Sequence, residues 1–105
     1  MTIVSLYALF ADAEEAERIG RTVVEEKLAA CINILAPCRS IYCWKGKIET
    51  VEEVPAILKT HGWRADDLIE RIAALHSYDT PCIAVWPIEK LLRRYADWVG
   101  DSVLR

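Results

Sequence analysis

Apolar and polar residues recur along the chain with two different periods, and these periods predict the order of the elements. Residues 3–10 form an almost continuous apolar run with β-branched and aromatic members, typical of a strand buried on both faces. Apolar residues then recur at helical spacing from Ala16 to Leu28, which predicts a helix. Asp12 offers this helix an N-cap, and Glu15, three residues later, completes a pattern like a capping box.

After Ala30 the period changes to two, and the following residues predict a long hairpin. Pro37 and Pro55 interrupt it, and because proline cannot donate a backbone hydrogen bond, each marks a bulge or a sheet edge. The predicted hairpin consists of extended stretches at residues 31–36 and 39–44, a tight turn at Lys45-Gly46, and a return arm at residues 47–60.

The rest of the chain adds a helix, a strand and a second helix. Residues 64–76 have a helical apolar stripe, residues 82–88 form a last apolar strand, and apolar residues at helical spacing between 91 and 99 predict a short C-terminal helix. The order is βαββαβ plus one helix, which predicts an α+β protein with a ferredoxin-like sandwich. The length predicts a single domain over residues 1–105.

Strand and helix lengths predict that the hairpin projects beyond the body of the domain. Each arm of about 14 residues reaches about 46 Å at ~3.3 Å per residue. The first helix, at about 17 residues, reaches only about 25 Å. The far end of the hairpin, with Tyr42, Trp44 and Ile48, therefore lies beyond the helices and is predicted to contact another chain. Pairing with a different surface of a neighbour closes into a ring, so we expect a small homo-oligomer.

Composition strengthens this expectation and excludes several functions. Hydrophobic residues make up 53% of the chain, with four Trp and four Tyr, which is more than a small monomer hides easily. The 13 Lys and Arg are interspersed among 16 Asp and Glu, so no basic footprint for nucleic acid is present. No run approaches the roughly 20 apolar residues of a membrane span, and no basic leader precedes the first strand. The predicted location is the cytoplasm, with neither nucleic acid nor membrane as partner.

The cysteines and histidines are the candidate soft metal donors. Four cysteines lie in apolar stretches without CxxC spacing, which predicts reduced, buried thiols rather than disulfides or a zinc site. A copper ion favours Cys and His, so Cys31 and His76 are candidate ligands. The alternatives are a core thiol for Cys31 and a helix C-terminal residue for His76. An enzyme using both is the weakest hypothesis, since no third group orients them.

Cationic and aromatic residues suggest a second kind of site. Lys59 lies in an otherwise apolar run, either at an exposed strand end or paired in a cleft. Lys45 and Lys47 beside Trp44 either form a solvated turn or present cations to an anion at a subunit boundary. Tyr78 follows His76 in a polar segment that is a candidate ligand pocket. Glutamates 49, 52 and 53 are interpreted as a solvated face of the hairpin.

Five segments in order resemble the CutA family, named for divalent cation tolerance, over nearly the whole chain. The resemblance implies a ferredoxin-like homotrimer similar in architecture to the PII signalling proteins, with a link to metal-ion response and copper binding. The segments are Glu26-Lys27-Leu28-Ala29-Ala30-Cys31-Ile32-Asn33, Ser40-Ile41-Tyr42-Cys43-Trp44-Lys45-Gly46-Lys47-Ile48-Glu49, Leu58-Lys59-Thr60, His76-Ser77-Tyr78-Asp79-Thr80-Pro81 and Tyr95-Ala96-Asp97-Trp98.

Departures from the family pattern fall on the copper ligands. Tyr7 stands where copper-binding members have a thiol, and Leu75 precedes His76 where they have a second histidine. Cys82 stands where the family often has Glu, and is either a replacement soft donor or a core residue. The leading hypothesis is a non-enzymatic homotrimer that binds a divalent cation such as Cu²⁺ or a small ligand. The alternatives are a PII-like sensor of an anionic metabolite or nucleotide, and a structural trimer that anchors a partner.

Overall fold

A computed structural model describes residues 2–104 as one antiparallel sheet and three α-helices, which confirms the predicted order and fold class. A short 3-10 turn at Gly62–Arg64 joins the fourth strand to the second helix. In chain order the elements are β1 (Ile3–Phe10), α1 (Ala13–Glu25), β2 (Cys31–Ile34), β3 (Cys38–Trp44), β4 (Lys47–His61), α2 (Ala65–Leu75), β5 (Ile83–Pro87) and α3 (Arg93–Leu104).

The strand β4 organises the sheet, because three other strands pair with it. The sheet order is β2-β4-β1-β5, which is the ferredoxin-like arrangement. The half of β4 nearest α2 pairs with β1 and β2, while residues 47–53 pair only with β3. The return arm of the predicted hairpin is thus one continuous strand. The outgoing arm is divided at residues 35–37, where Pro37 was predicted to interrupt it.

Side-chain alternation gives the sheet two different faces. One face carries Leu6, Phe10 and Leu58, which are fully buried against Ile19 of α1 and Ile72 of α2. The other face is covered only at one end, where α3 packs on the sheet through a small second cluster. That cluster contains Ile3, Ala30, Val99 and Val103. We call the remainder of this second face the open face, and no helix within residues 2–104 covers it.

The first helix begins where the sequence predicts and ends earlier. Asp12 Oδ1 accepts a hydrogen bond from the Glu15 N–H at 2.8 Å, which confirms the N-cap. The Glu15 side chain in turn accepts a hydrogen bond, through Oε1, from the N–H of Ala11 at 3.0 Å, and Ala11 is the residue before the cap. The helix stops at Glu25 because Lys27 adopts φ +61° and turns the chain into β2.

The tight turn of the hairpin is confirmed at Lys45 and Gly46. Both residues have positive φ, +51° and +82°, the combination of a type I′ turn that matches the twist of two paired strands. The paired strands β3 and β4 extend the molecule to 45 Å along its longest axis, against 25 and 23 Å along the others. The hairpin therefore projects from the body, as its arm length predicts.

Candidate functional site

A group of polar side chains lies where the hairpin leaves the body, and we call it the hairpin-base cluster. It contains Glu53 of β4, Tyr7 of β1, and Tyr78 and Cys82 from the segment between α2 and β5. The Tyr78 hydroxyl donates a hydrogen bond to the Glu53 carboxylate. Glu53 is only 5% exposed, so its interpretation as part of a solvated hairpin face is wrong. It is enclosed because the body of the sheet begins at the next residue.

Burial and the charge of Glu53 keep the neighbouring groups of this cluster protonated. Burial, with the hydrogen bond to Glu53 and the charge of that carboxylate, raises the pKa of Tyr78 to about 12. The pKa of Tyr7 is raised above its usual range. Burial is the largest cause, and the charges of Cys38, Cys82 and Glu53 add to it. Partial burial and then Glu53 raise the pKa of Cys82. The hydroxyls of Tyr7 and Tyr78 and the thiol of Cys82 therefore stay protonated beside Glu53 at neutral pH.

His76 is held inside the fold through both ring nitrogens. Its Nε2 lies 2.8 Å from the carbonyl oxygen of Leu9, and its Nδ1 lies 3.0 Å from the backbone nitrogen of Tyr78. Because a carbonyl only accepts and an N–H only donates, Nε2 carries the proton and Nδ1 accepts. The ring stacks on Phe10 at 5.3 Å, and its side chain has no exposed surface. The ring nitrogens point to backbone atoms, not to an open site.

Glu15 connects the start of α1 to the end of α2 beside this histidine. Its Oε2 accepts a hydrogen bond from the Ser77 N–H at 2.9 Å, and its Oε1 lies 3.9 Å from His76 Nε2. Burial alone would raise the pKa of this carboxyl, but the hydrogen bonds from Ala11 and Ser77 outweigh it and hold the pKa below its usual range. Sequence reasoning identified Glu15 only as a helix-cap residue.

A second polar group lies on the open face near α3. Strand register places Cys31, Lys59, Ser5 and Trp86 in one row across the sheet. Lys59 Nζ donates to Asn33 Oδ1 at a long 3.5 Å. This row therefore places the ammonium of the half-buried Lys59 on a surface whose other members in the row are uncharged.

The thiol of Cys31 faces the third helix. Cys31 Sγ lies 3.5 Å from the Tyr95 hydroxyl. The pKa of Tyr95 is raised to about 12, mainly because the residue is buried and then because of this contact with Cys31. Tyr95 in turn stacks on Trp98 at 5.8 Å between ring centroids. The contact joins β2 to α3, so Cys31 has a structural partner in the fold.

The predicted pocket residues do not share one pocket within a chain. His76 and Tyr78 are in contact, with ring centroids 4.8 Å apart, at the base of the hairpin. Trp44 and Lys47 lie at its tip, where Lys45 Nζ sits 5.9 Å from the Trp44 ring centroid. Twelve residues of β4 separate Lys47 from Lys59, which is about 40 Å at ~3.3 Å per residue. The hairpin tip with Trp44 and Lys47 can therefore meet Lys59 only when the two belong to different chains.

The candidate metal donors are likewise dispersed. Within residues 2–104, no group of three or more His, Cys, Asp or Glu side chains is arranged to hold a metal ion. Cys31 faces α3, His76 faces β1, and Cys82 is exposed. The four cysteines are free thiols, as expected, but the expectation that they are buried is wrong. Cys43 and Cys82 are exposed, and Cys31 and Cys38 are half-buried.

The three predicted interface residues lie on opposite sides of the hairpin. Register pairs Tyr42 with Glu49 and Trp44 with Lys47, so these aromatic rings continue the open face. Ile48 pairs with Cys43 and continues the side that the helices cover in the body. All three are exposed, and Ile41 is 66% exposed beside Ile48. The hairpin therefore carries exposed apolar side chains on both sides, a division that the sequence prediction did not make.

The described part of the chain contains no helix long and apolar enough to cross a membrane. Its antiparallel sheet, with helices on one face and a projecting hairpin, defines a ferredoxin-like α+β protein. Comparison with known families is more specific. The chain belongs to the CutA1 divalent ion tolerance protein family, which matches residues 4–102.

Individual relatives agree along nearly their full length. The chain is 42% identical over 98 residues to the divalent-cation tolerance protein CutA of Archaeoglobus fulgidus, covering 93% of this chain and 95% of that protein. It is 38% identical over 102 residues to the protein of the same name from Thermotoga maritima, covering 97% and 100%. Among solved structures, CutA1 from Oryza sativa superposes with a TM-score of 0.94 at 33% identity, covering 98% and 94%. The A. fulgidus structure, described as a periplasmic protein, has a TM-score of 0.93 at 40% identity, covering 96% and 98%.

Proposed function

We propose that this protein is a cytoplasmic homotrimer that binds metal ions in divalent-cation tolerance and carries no catalytic activity. The observation that supports assembly is the set of exposed apolar side chains on the hairpin, which no other element within residues 2–104 covers. Ile48 is 72% exposed on one side, and Trp44 is 47% exposed on the other. Exposed apolar surface of this kind on a projecting ribbon is typical of an interface.

A ring explains why both sides of the hairpin are apolar. A ribbon loses water from both sides only when it lies between two other surfaces. A heterologous contact, repeated by rotation, supplies such surfaces and closes into a ring. The number three is proposed because the resemblance to the family implies a homotrimer. The open face adds to the interface, since Trp86 is 45% exposed and lies 6.3 Å from Tyr7 between ring centroids.

Metal binding in this proposal begins at Cys82. Among the candidates Cys31, His76 and Cys82, it is the one exposed residue. His76 binds a metal only by giving up a hydrogen bond to Leu9 or Tyr78, and Cys31 only by leaving Tyr95. A soft thiol beside a carboxylate suits copper, with further donors from a neighbouring chain. The absence of catalysis is proposed because neither Cys31 nor His76 has a base or an orienting group at an open site.

Native mass spectrometry during a copper titration tests this function. The wild type is expected at three times its 11.9 kDa mass with bound copper. Cys82→Ser should keep that mass and lose most of the copper, whereas His76→Gln, which retains hydrogen-bonding groups, should keep both. A monomer contradicts the assembly. A trimer whose copper uptake is unchanged by Cys82→Ser contradicts the metal site.

A PII-like sensor of an anionic metabolite or nucleotide is the second candidate, favoured by the half-buried Lys59. Its ammonium donates one long hydrogen bond to Asn33. The residues beside Lys59 in its row across the sheet, Cys31, Ser5 and Trp86, carry no charge that would pair with it. A neighbour's Lys45 and Lys47 would complete a cationic pocket with Tyr78 and Trp44 at its walls. A thermal-shift screen with nucleotides and organic anions tests this, because a ligand of the folded state raises the melting temperature. The shift should disappear in Lys59→Met, and a shift that survives points to another site.

A further inference from the structure

Glu53 is a buried carboxylate without a cationic partner. It is only 5% exposed, and within residues 2–104 no Lys, Arg or His forms an ion pair with it. Proteins bury a charged group where another charge pairs with it or where it coordinates a metal ion. The hydroxyl of Tyr78, which donates a hydrogen bond to this carboxylate, is neutral. The negative charge of Glu53 is therefore uncompensated within the described chain, as it is at a cation ligand.

Cys82 lies on the same side of the sheet as Glu53. Val54 packs in the core, so side-chain alternation places the preceding Glu53 on the open face. Ile83 also packs on the core, which places the preceding Cys82 on that face too. Strand β1 runs between them, and the N–H of Leu9 donates to the carbonyl oxygen of Cys82 at 3.2 Å. A carboxylate and a thiol, both of which bind divalent cations such as Zn²⁺, thus share one face.

The main chain at Tyr78 is fixed, whereas its hydroxyl is held through Glu53. His76 Nδ1 accepts the N–H of Tyr78 at 3.0 Å, and the preceding Ser77 donates its N–H to Glu15 at 2.9 Å. The Tyr78 side chain can therefore leave Glu53 by rotation about its own single bonds, without any movement of the backbone around it.

We propose that Glu53 and Cys82 are the two ligands this chain provides for a divalent cation, and that the Tyr78 hydroxyl is a latch on Glu53. The latch satisfies the buried carboxylate in the metal-free protein and must turn away before Glu53 can bind a cation. The thiol of Cys82 releases its proton to solvent on binding. This inference rests on the proposed metal-binding function and extends it from the thiol to the carboxylate and its latch.

Isothermal titration calorimetry with Zn²⁺, which does not oxidise thiols, tests the latch. Tyr78→Phe keeps the ring beside His76 and removes the hydroxyl. We expect zinc to bind this variant roughly tenfold or more tightly than the wild type, because a hydrogen bond to a charged group no longer competes. Glu53→Gln and Cys82→Ser should each weaken binding. A merely structural role of Tyr78 would give weaker binding in Tyr78→Phe, not tighter binding.

Two further variants show whether the hydroxyl acts through the carboxylate. In the double variant Tyr78→Phe/Glu53→Gln the tightening should disappear. Tyr42→Phe, which removes a hydroxyl from an exposed tyrosine of the hairpin, is the matched control and should bind zinc as the wild type does. A crystal structure of the wild type grown with zinc needs no variant. It should show zinc bound by Glu53 and Cys82, with the Tyr78 hydroxyl away from the carboxylate.

The outcomes separate the latch from the proposed function. If Cys82→Ser weakens zinc binding but Tyr78→Phe does not strengthen it, the latch is overturned and metal binding at Cys82 stands. Tightening that persists in the double variant also overturns the latch. So does a crystal in which Tyr78 still donates to Glu53 beside bound zinc, or in which a Lys or Arg of a neighbouring copy pairs with Glu53. If neither the wild type nor any variant binds zinc, the latch and the metal-binding function are both overturned.

Discussion

The two halves of β4 have the same alternation of side chains and opposite surroundings. In the body, the side chains of Ala56 and Leu58 pack against α1 and α2 and have no exposed surface. In the hairpin, Ile48 lies on the same side of the same strand and is 72% exposed. A period of two therefore predicts a strand in both halves, but burial depends on whether another element covers that side.

This contrast divides the stability of the protein between two sources. The body is stabilised by its own core, in which sheet and helices bury each other's apolar side chains. The hairpin has only its ladder and its turn within the chain, and an isolated two-stranded ribbon is marginal in water. Changes in the body should therefore alter the unfolding of each chain, while changes in the hairpin should alter assembly.

The largest effect is expected from a cavity in the body. Leu58→Ala removes a fully buried side chain between the two helices and should lower the free energy of unfolding by about 2–5 kcal/mol. Urea denaturation followed by far-UV circular dichroism measures this. A loss below 1 kcal/mol would show that the core is not packed around this strand as described.

The hairpin counterpart is Ile48→Lys. Placing a charge at this exposed apolar position should cost roughly 1.5–3 kcal/mol of apolar burial at each contact between chains, and so shift the protein toward smaller species. Light scattering after gel filtration measures the mass, and circular dichroism should remain unchanged. Ala73→Lys, on the exposed side of α2, is the matched control and should leave the mass unchanged. Equal masses for both variants would mean that this side of the hairpin is not an interface.

An intermediate effect is expected at Glu15, which joins two elements of the body. In Glu15→Gln, one side-chain oxygen can still accept the Ala11 N–H, but the amide N–H₂ then faces the Ser77 N–H. An unsatisfied buried donor costs about 1–3 kcal/mol. Urea denaturation at neutral pH should show this loss with the assembled mass retained.

The pH dependence of the same pair of proteins gives a second measurement. The pKa of Glu15 is lowered in the folded state, so its stabilisation is complete above the unfolded pKa of about 4.3 and is lost as pH falls through the folded value. The stability difference between wild type and Glu15→Gln should therefore shrink as the pH is lowered from 6 to about 3. A difference that stays constant over this range would mean that the carboxylate charge does not contribute.

The smallest effect is expected at the turn. Gly46 has φ +82°, where an L side chain is strained although nothing lies within 4 Å of an added Cβ. Gly46→Ala should destabilise the hairpin by about 1 kcal/mol through backbone conformation alone. Amide hydrogen exchange of β3 and β4 near the turn should become faster, while exchange in β1 and α1 stays the same. Uniform acceleration would argue against the separation of body and hairpin.

Local patterns predicted the elements well because they depend on neighbouring residues. The N-cap at Asp12, the turn at Lys45-Gly46 and the order of the elements along the chain follow from such patterns. Helix ends were less accurate. Leu28 belongs to the predicted stripe of α1 and does pack on the core, but it follows the end of the helix. The helix α3 extends to Leu104 because buried Val103 adds another turn to a stripe predicted to end at Val99.

The candidate site was harder to predict because it depends on contacts between distant residues. Glu53 stands next to Glu52 in a charged stretch, and only the start of the sheet body makes one buried and the other exposed. The position of Glu53 two residues before Pro55 was the available signal. His76 was identified as a candidate, but its bond to Leu9 spans 67 positions of sequence and gives no local pattern. The metal and ligand roles of the named residues stay predictions.

Sedimentation equilibrium of the wild-type protein at micromolar concentration tests the central claim most directly, that other copies of this chain cover the hairpin. We predict a single species of three times 11.9 kDa, with no monomer present. A clean monomer would show that the apolar sides of the hairpin stay exposed to water and would contradict this explanation of the fold.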